Sequence, residues 1–227
     1  MWKNWEKSDS IENITREKDS LILVYGTNSL VKSLPLHEIL TFEEAAYSER
    51  LRGEEQKSTW LSCRATLRLI LGSYLGKKPI DIEFRKGRYG KLYLPGTNLF
   101  FNVSHSKSAF LLGFSFWGRI GVDIELLNGS EDLPSMVEYA FSNAEVQYCH
   151  NGENRARFTE IWTLKEAFLK AVGIGLVDQL TSISVSEIVQ NDISRIKLNH
   201  KSFFCPNGET GSIVYTKNKP VKFIWLT

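Results

Sequence analysis

Two stretches of the chain resemble each other and predict how it folds. The stretch WTLKEAFLK spans Trp162–Lys170, and the stretch WLSCRATLR spans Trp60–Arg68. Tryptophan, alanine and leucine recur at equal spacing, each stretch ends on a basic residue, and similar triplets precede them at Ala46–Ser48 and Ala140–Ser142. A repeated unit predicts two halves that meet around a pseudo-two-fold axis, with a ligand cleft between them.

Both stretches lie in segments with the apolar periodicity of amphipathic helices, predicted over residues 54–75 and 155–172. Short segments with alternating apolar residues predict strands between and after them, including one at 182–186. The predicted fold class is therefore α+β, with two similar α/β halves. We place the N-terminal half at residues 1–117 and the C-terminal half at residues 118–227.

The composition limits the class of protein. The 227 residues are 42% hydrophobic, enough for one large core or two small ones. Lys plus Arg is 28 and Asp plus Glu is 26, a balance that does not predict a dedicated nucleic-acid or membrane binder. Three widely spaced cysteines indicate free thiols in a reducing compartment, and no segment resembles a secretory signal or a membrane span. We expect a cytoplasmic protein.

The stretch GVDIE, Gly121–Glu125, carries an acidic pair on a predicted strand. Side chains alternate across a strand, so Asp123 and Glu125 share one face with Gly121, which leaves room beside them for a bulky group. Two like charges this close repel and raise each other's pKa, and a bound divalent cation removes the cost of this repulsion. Mg²⁺ prefers one or two carboxylates together with water and substrate phosphates. A solvated strand face carrying two acids is the alternative.

On the second predicted helix, Trp162, Glu166 and Lys170 recur at i, i+4 and i+8. Glu166 can supply a third carboxylate to the same ion, and Lys170, one turn further, can reach a phosphate oxygen. Lys165 lies next to them and adds positive charge. Taken alone, Glu166 and Lys170 also form an ordinary i, i+4 pair that stabilises a helix.

The stretch FNVSHS, Phe101–Ser106, predicts a turn between two apolar strands. Ser104, Ser106 and His105 offer two hydroxyls and an imidazole, which suit a phosphate group. A Ser–His nucleophile is disfavoured, because adjacent residues do not normally place a base on the neighbouring hydroxyl and no Gly-x-Ser-x-Gly elbow is present. The alternative is a turn whose side chains bond the local backbone.

Basic residues recur in the N-terminal half. Arg64 and Arg68 lie four residues apart on the first predicted helix, and Lys91 ends the Gly-rich segment 85–91. Such charges suit a nucleotide with several phosphates, although a solvated helix face would look the same. The glycines match neither a Walker A motif nor a dinucleotide fingerprint.

The three motifs FNVSHS, GVDIE and WTLKEAFLK, in this order, resemble the signature of the Sfp-type 4′-phosphopantetheinyl transferases. Phe141–Glu145 and Gly173–Leu176 are also similar to that family, and the resemblance covers roughly residues 55–185. The chain departs from the family at Leu92, where a proline often follows the Gly-Lys pair.

The resemblance implies two α/β halves with coenzyme A in the cleft between them. It implies transfer of the 4′-phosphopantetheine group to a serine of an apo acyl, peptidyl or polyketide carrier protein, with release of 3′,5′-ADP. It also implies the following site residues: Asp123, Glu125 and Glu166 as Mg²⁺ ligands, Lys170 at the pyrophosphate, and Ser104 and His105 near the 3′-phosphate. As catalytic residues we expect Glu166, directly or through a relayed water, as the base, and Lys170 at the leaving phosphate. To the cofactor site we add Lys91, Arg64, Arg68 and Lys165.

Two other classes remain open from the sequence. The acidic pair also suits a Mg²⁺-dependent phosphoesterase or nuclease, and the chain could be a non-catalytic module that binds carrier proteins. As partners we expect an apo carrier protein and coenzyme A, with no nucleic acid and no membrane, and we expect a monomer. From position alone, we place carrier docking at residues 127–154.

Overall fold

The computed structural model describes residues 4–16, 18–126, 137, 140–150, 155–174, 181, 183–190 and 197–227. These residues form an α+β fold with two large sheets and a short hairpin, each large sheet carrying one long helix. The predicted fold class is therefore confirmed, whereas the pseudo-two-fold relation between the halves stays a prediction.

The first sheet has five strands: β1 (Glu6–Ser8), β2 (Leu21–Thr27), β5 (Phe100–Ser106), β6 (Ala109–Ser115) and β10 (Val221–Leu226). Their spatial order is β1-β10-β2-β6-β5. Neighbours β1 and β10, and β10 and β2, run parallel, and the other pairs are antiparallel. The last strand of the chain returns to this first sheet, and the boundary predicted between residues 117 and 118 stays a prediction.

The long helix α4 (Glu54–Leu75) covers one face of this sheet. Its Leu67, Ile70 and Leu71 are buried against β2 and β6, and each such side chain contributes about 1.5–3 kcal/mol when it leaves water. The helix ends at Gly76, which adopts the left-handed conformation with φ 64°. Three short helices precede it: α1 (Ile11–Thr15), α2 (Leu36–Ile39) and α3 (Phe42–Ser48).

The second sheet has three antiparallel strands in the order β7-β9-β8, namely β7 (Ile120–Glu125), β8 (Asn199–Phe204) and β9 (Thr210–Tyr215). Helix α6 (Arg155–Val172) packs on β7 and β9, and α5 (Asn143–His150) and α7 (Val185–Gln190) pack beside it. The short hairpin of β3 (Arg85–Lys86) and β4 (Leu92–Tyr93) lies between the long helix α4 and β5 in the chain.

The two large sheets share one apolar layer. Ile120, Val122 and Ile124 of β7 are fully buried in a cluster with Leu23 of β2 and Leu111 of β6. The same alternation turns the other face of β7 towards α6, so the predicted division of β7 into an apolar face and an acidic face is confirmed.

Two local predictions differ from the structure. Ser104, His105 and Ser106 lie inside β5 rather than in a turn. The strand predicted at 182–186 is wrong over its described residues, because Ser184 caps a helix that begins at Val185. Ser184 and Glu187 bond each other's backbone N–H, at 2.8 and 3.2 Å, and this reciprocal capping box fixes a helix start.

Candidate active site

The acidic face of β7 lies directly against helix α6. A Cβ atom added at Gly121 would overlap the backbone of Ala167 and Ala171, so only glycine allows this approach. The space that the sequence predicts beside Gly121 is therefore filled by the helix and not by a ligand. Because the backbones touch, Asp123 and Glu125 of the strand come close to Glu166 and Lys170 of the helix.

Asp123 is the central acid of this site and is only 3% exposed. Its Oδ1 accepts a hydrogen bond from Ser104 Oγ at 2.7 Å and lies 2.6 Å from Lys170 Nζ. Its Oδ2 is buried and has no hydrogen-bond partner among the described residues. A buried carboxylate oxygen without a partner is costly, and a bound cation would satisfy it.

Two further carboxylates face Asp123. The pKa of Glu125 is raised to about 7, first by burial and then by the charge of Asp123. The pKa of Glu166 is raised by burial and by Asp123, and Lys170 opposes that shift. Asp123 and these two acids, whose pKa values are raised, are a set of oxygen ligands suited to Mg²⁺.

Lys170 supplies the positive charge of the site in this structure. Its ammonium donates to Asp123 Oδ1 and, at 3.0 Å, to Ser104 Oγ. Within the described part of the chain, no three acidic, histidine or cysteine side chains lie close enough to enclose an ion as they stand. The residues still fit a divalent cation, because the Asp123 oxygen needs a partner and Lys170 now neutralises only part of the acidic cluster.

Lys91 joins the short hairpin to the C-terminal half. Its ammonium donates to the carbonyl oxygens of Ile120, at 2.9 Å, and of Lys170. Burial, followed by the charges of Arg119 and Lys170, lowers its pKa to about 8. The predicted cofactor residue Lys91 therefore lies at the site, with at least part of its hydrogen-bonding capacity used by the backbone.

A cleft of about 350 Å³ opens beside Glu166 and Lys170, at the lower end of the size of small-molecule sites. Both halves contribute to its walls, as predicted, and the walls are mainly apolar. They include Tyr89, Lys91, Val103, Leu169 and Ile174.

The other predicted residues lie in different places. His105 is exposed on the face of β5 opposite Ser104. Arg64 stacks over the rings of Trp60 and Phe84 and lines a second, wider groove of about 1360 Å³ that shares Leu92 with the first cleft.

Two predicted cofactor ligands have structural partners instead. Arg68 is 3% exposed and donates to Glu44 and to the carbonyl oxygens of Pro79 and Ile82. Lys165 is 1% exposed and donates to Ala140 O at 2.6 Å and to Glu145 Oε2 at 2.7 Å. Their charges are already paired inside the protein, so we leave both out of the proposed cofactor site.

Sequence reasoning gave two residues that touch the site no role at the acidic centre. Asn102 Oδ1 accepts from the backbone N–H of Val122 at 2.8 Å, and Ser106 Oγ donates to Glu125 at 2.8 Å. With Ser104 they are polar at every second position of β5, which places all three on one face of the strand. That alternation was the signal that could have found them.

Comparison with known proteins agrees with these motifs. A family model described as the 4′-phosphopantetheinyl transferase superfamily matches residues 119–219, which include β7 and α6. The 4′-phosphopantetheinyl transferase AcpT of Escherichia coli O157:H7 is 30% identical over 184 residues, which are 79% of this chain and 87% of AcpT. The chain belongs to the 4′-phosphopantetheinyl transferase superfamily.

Two cyanobacterial relatives are also similar. The 4′-phosphopantetheinyl transferase HetI of Nostoc sp. is 33% identical over 144 residues, 60% of this chain and 61% of HetI. A relative from Synechocystis sp. is 34% identical over 155 residues, 66% of this chain and 63% of that protein. The chain thus spans about three fifths of the length of these two relatives. Over its described residues, it contains no helix of the length and apolarity that a membrane crossing requires.

Proposed function

We propose that the protein transfers the 4′-phosphopantetheine group of coenzyme A to a serine of an apo carrier protein and releases 3′,5′-ADP. The observation that carries this proposal is the buried Asp123, with one oxygen on Lys170 and the other without a partner among the described residues. Such a centre suits a pyrophosphate accompanied by a divalent cation. The names of the relatives supply the group that is transferred.

Asp123, Glu125 and Glu166 would hold the metal, because all three lie where β7 meets α6 and the charge of Asp123 acts on the other two acids. When bound, Mg²⁺ supplies charge neutralisation for the pyrophosphate and its leaving group. The protein's own contribution is to hold three acids together at a place where burial raises the pKa of two of them.

Glu166 is the proposed general base. It lies at the cleft wall and its pKa is raised above the ordinary value, towards the range in which a carboxylate accepts a proton well. The serine hydroxyl of the carrier attacks the β-phosphorus, its proton moves to Glu166, and the bond to the oxygen of 3′,5′-ADP breaks.

Lys170 is the proposed electrostatic residue for the leaving phosphate. Its ammonium also lines the cleft, within reach of both Ser104 and Asp123, so positive charge is held at the position where negative charge develops. For the adenosine end of coenzyme A we propose Lys91, Ser104, His105 and Arg64. The position of Lys91 in the wall of the cleft supports this assignment.

The proposal is tested by incubating the protein with an apo carrier protein, coenzyme A and Mg²⁺, and measuring the intact mass of the carrier. A gain of one phosphopantetheine group that EDTA prevents is expected. Release of phosphate from simple esters without any gain by the carrier would favour the phosphoesterase alternative. Binding without turnover would favour a non-catalytic module.

Glu166→Gln tests the general base, and Glu160→Gln is its matched control, since Glu160 is an exposed acid on the same helix. We expect turnover to fall by about 10²-fold or more in Glu166→Gln, the scale of general-base catalysis, and to stay normal in Glu160→Gln. Near-normal turnover in Glu166→Gln would remove Glu166 from the mechanism.

We also propose that the protein works as a cytoplasmic monomer with no nucleic-acid or membrane partner. The cysteines support a reducing compartment, because Cys63, Cys149 and Cys205 are free thiols. Most of the predicted carrier-docking segment, residues 127–154, lies outside the described residues, and docking there stays a proposal. Analytical ultracentrifugation with and without the carrier would test both the monomer and the complex.

A further inference from the structure

Strands β5 and β7 lie side by side but belong to different sheets. Side chains of β5 bridge the gap by bonding to β7 and the residue after it: Asn102 to the N–H of Val122, Ser104 to Asp123, and Ser106 to Glu125 and to the N–H of Leu126. Two of the proposed metal ligands are therefore each held by a serine of the other half.

The hydrogen bonds of Ser106 fix the direction of its proton. Its Oγ accepts from the backbone N–H of Leu126 at 3.1 Å, and this N–H cannot rotate independently of the chain. A serine hydroxyl has a single hydrogen, so that hydrogen is left for Glu125 Oε2, at 2.8 Å. The side chain is 8% exposed, so water competes little for either bond.

The bond to Oε2 holds the orientation of the Glu125 carboxylate. Glu125 is partly exposed at the end of β7 and has three side-chain torsions of its own. Ser104 holds Asp123 through one oxygen in the same way and leaves the other oxygen without a partner among the described residues. Each serine thus binds one oxygen of a proposed metal ligand.

We infer that Ser106 is a positioning residue for the metal ligand Glu125, acting from the N-terminal half on a ligand of the C-terminal half. This inference rests on the proposed function, because it assumes that Glu125 is a metal ligand. Partners of metal ligands orient the ligating atoms, and their loss typically weakens metal binding about 10- to 100-fold.

The test is Mn²⁺ binding in the absence of coenzyme A, measured from the electron paramagnetic resonance signal of free Mn²⁺. The wild type is compared with Ser106→Ala, Ser106→Cys, which keeps the volume but donates weakly, and Ser106→Thr, which keeps the hydroxyl. The matched control is Ser115→Ala, a buried serine on β6 that bonds the N–H of Trp117. Circular dichroism checks that each variant is folded.

We expect Ser106→Ala and Ser106→Cys to bind Mn²⁺ about tenfold more weakly or worse, and Ser106→Thr and Ser115→Ala to resemble the wild type. In turnover assays the apparent KM for Mg²⁺ should rise in the first two variants, with kcat at saturating Mg²⁺ little changed. A purely structural bond would lower stability without moving metal affinity.

Two outcomes separate the inference from the function on which it rests. If the wild type binds Mn²⁺ and Ser106→Ala and Ser106→Cys bind it equally well, the positioning role of Ser106 is overturned and the metal site stands. If the wild type binds no Mn²⁺, the metal site of the proposed function is overturned, and the role of Ser106 with it.

Discussion

Lys165→Met is the substitution that best separates a structural lysine from a cofactor-binding one. The Lys165 ammonium is buried and pairs with Glu145, which is also buried, while also donating to the carbonyl oxygen of Ala140. Removing it leaves the Glu145 carboxylate charged inside the protein. Breaking a buried pair from one side costs about 3–5 kcal/mol.

The structure places the expected loss near the lower end of that range. Glu145 keeps two backbone donors after the substitution, Ser142 N–H at 2.8 Å and Val185 N–H at 2.6 Å. We therefore expect the free energy of unfolding to fall by about 3 kcal/mol. For a chain of this length that corresponds to a Tm lower by roughly 6–12 °C.

Urea-induced unfolding measures the loss, and KM for coenzyme A is measured well below the Tm of the variant. Lys217→Met is the control, because Lys217 is exposed in the turn before β10. The double variant Lys165→Met/Glu145→Gln should be more stable than Lys165→Met, since the remaining buried group is neutral. Normal stability combined with a raised KM for coenzyme A would refute the structural role and restore Lys165 to the cofactor site.

Three further predictions concern the acidic centre. Lys170→Met removes the ammonium that is hydrogen-bonded to Asp123, so in the absence of coenzyme A Mn²⁺ should bind at least about tenfold more tightly. Turnover should fall in the same variant, and weaker Mn²⁺ binding would contradict the reasoning. The pKa of Glu125 rises from 4.5 to about 7 on folding, so between these pH values the folded protein binds more protons than the unfolded chain. The stability of the metal-free protein should therefore fall as pH rises through that interval. The Tm measured in EDTA should fall in the same way, and Glu125→Gln should reduce this pH dependence. Gly121→Ala, whose Cβ would overlap the Ala167 carbonyl, should cost more than about 3 kcal/mol in chemical unfolding, whereas Gly87→Ala, with its nearest atom at 3.5 Å, should be close to neutral.

The acidic centre was predictable because its signal is local. Asp123 and Glu125 share a face by strand alternation, and Glu166 and Lys170 share one by helical spacing, so neither pair depends on distant contacts. The place of β10 in the first sheet was not predictable in this way. Its parallel partners β1 and β2 lie about 200 residues away, and no turn or spacing in the sequence records that pairing.

Lys165 shows where a charge in a sequence is ambiguous. Successive helix residues are rotated by about 100°, so Lys165 lies off the face of Glu166 and shares a face with the buried Ile161 and Leu169, four residues before and after it. The spacing alone therefore placed Lys165 off the face of Glu166 and Lys170. What the sequence lacked was the partner, because Glu145 lies on another helix and nothing local shows that the two charges meet.

The position of the site follows from the boundary between the two sheets, where the neighbouring strands β5 and β7 form no backbone ladder. Strands β5 and β7 run close together without pairing their backbones, so β7 takes its second set of partners from the side chains of β5. Apolar side chains could not satisfy the Val122 and Leu126 N–H groups at this seam, and therefore the seam is polar. Once polar groups line a buried seam, serines can hold carboxylates there, and the cleft beside the seam is a place where a charged substrate can reach them. The stability of the contact between the halves and the chemistry of the centre thus depend on the same residues of β5. Substitutions of these residues should therefore alter metal affinity and unfolding together.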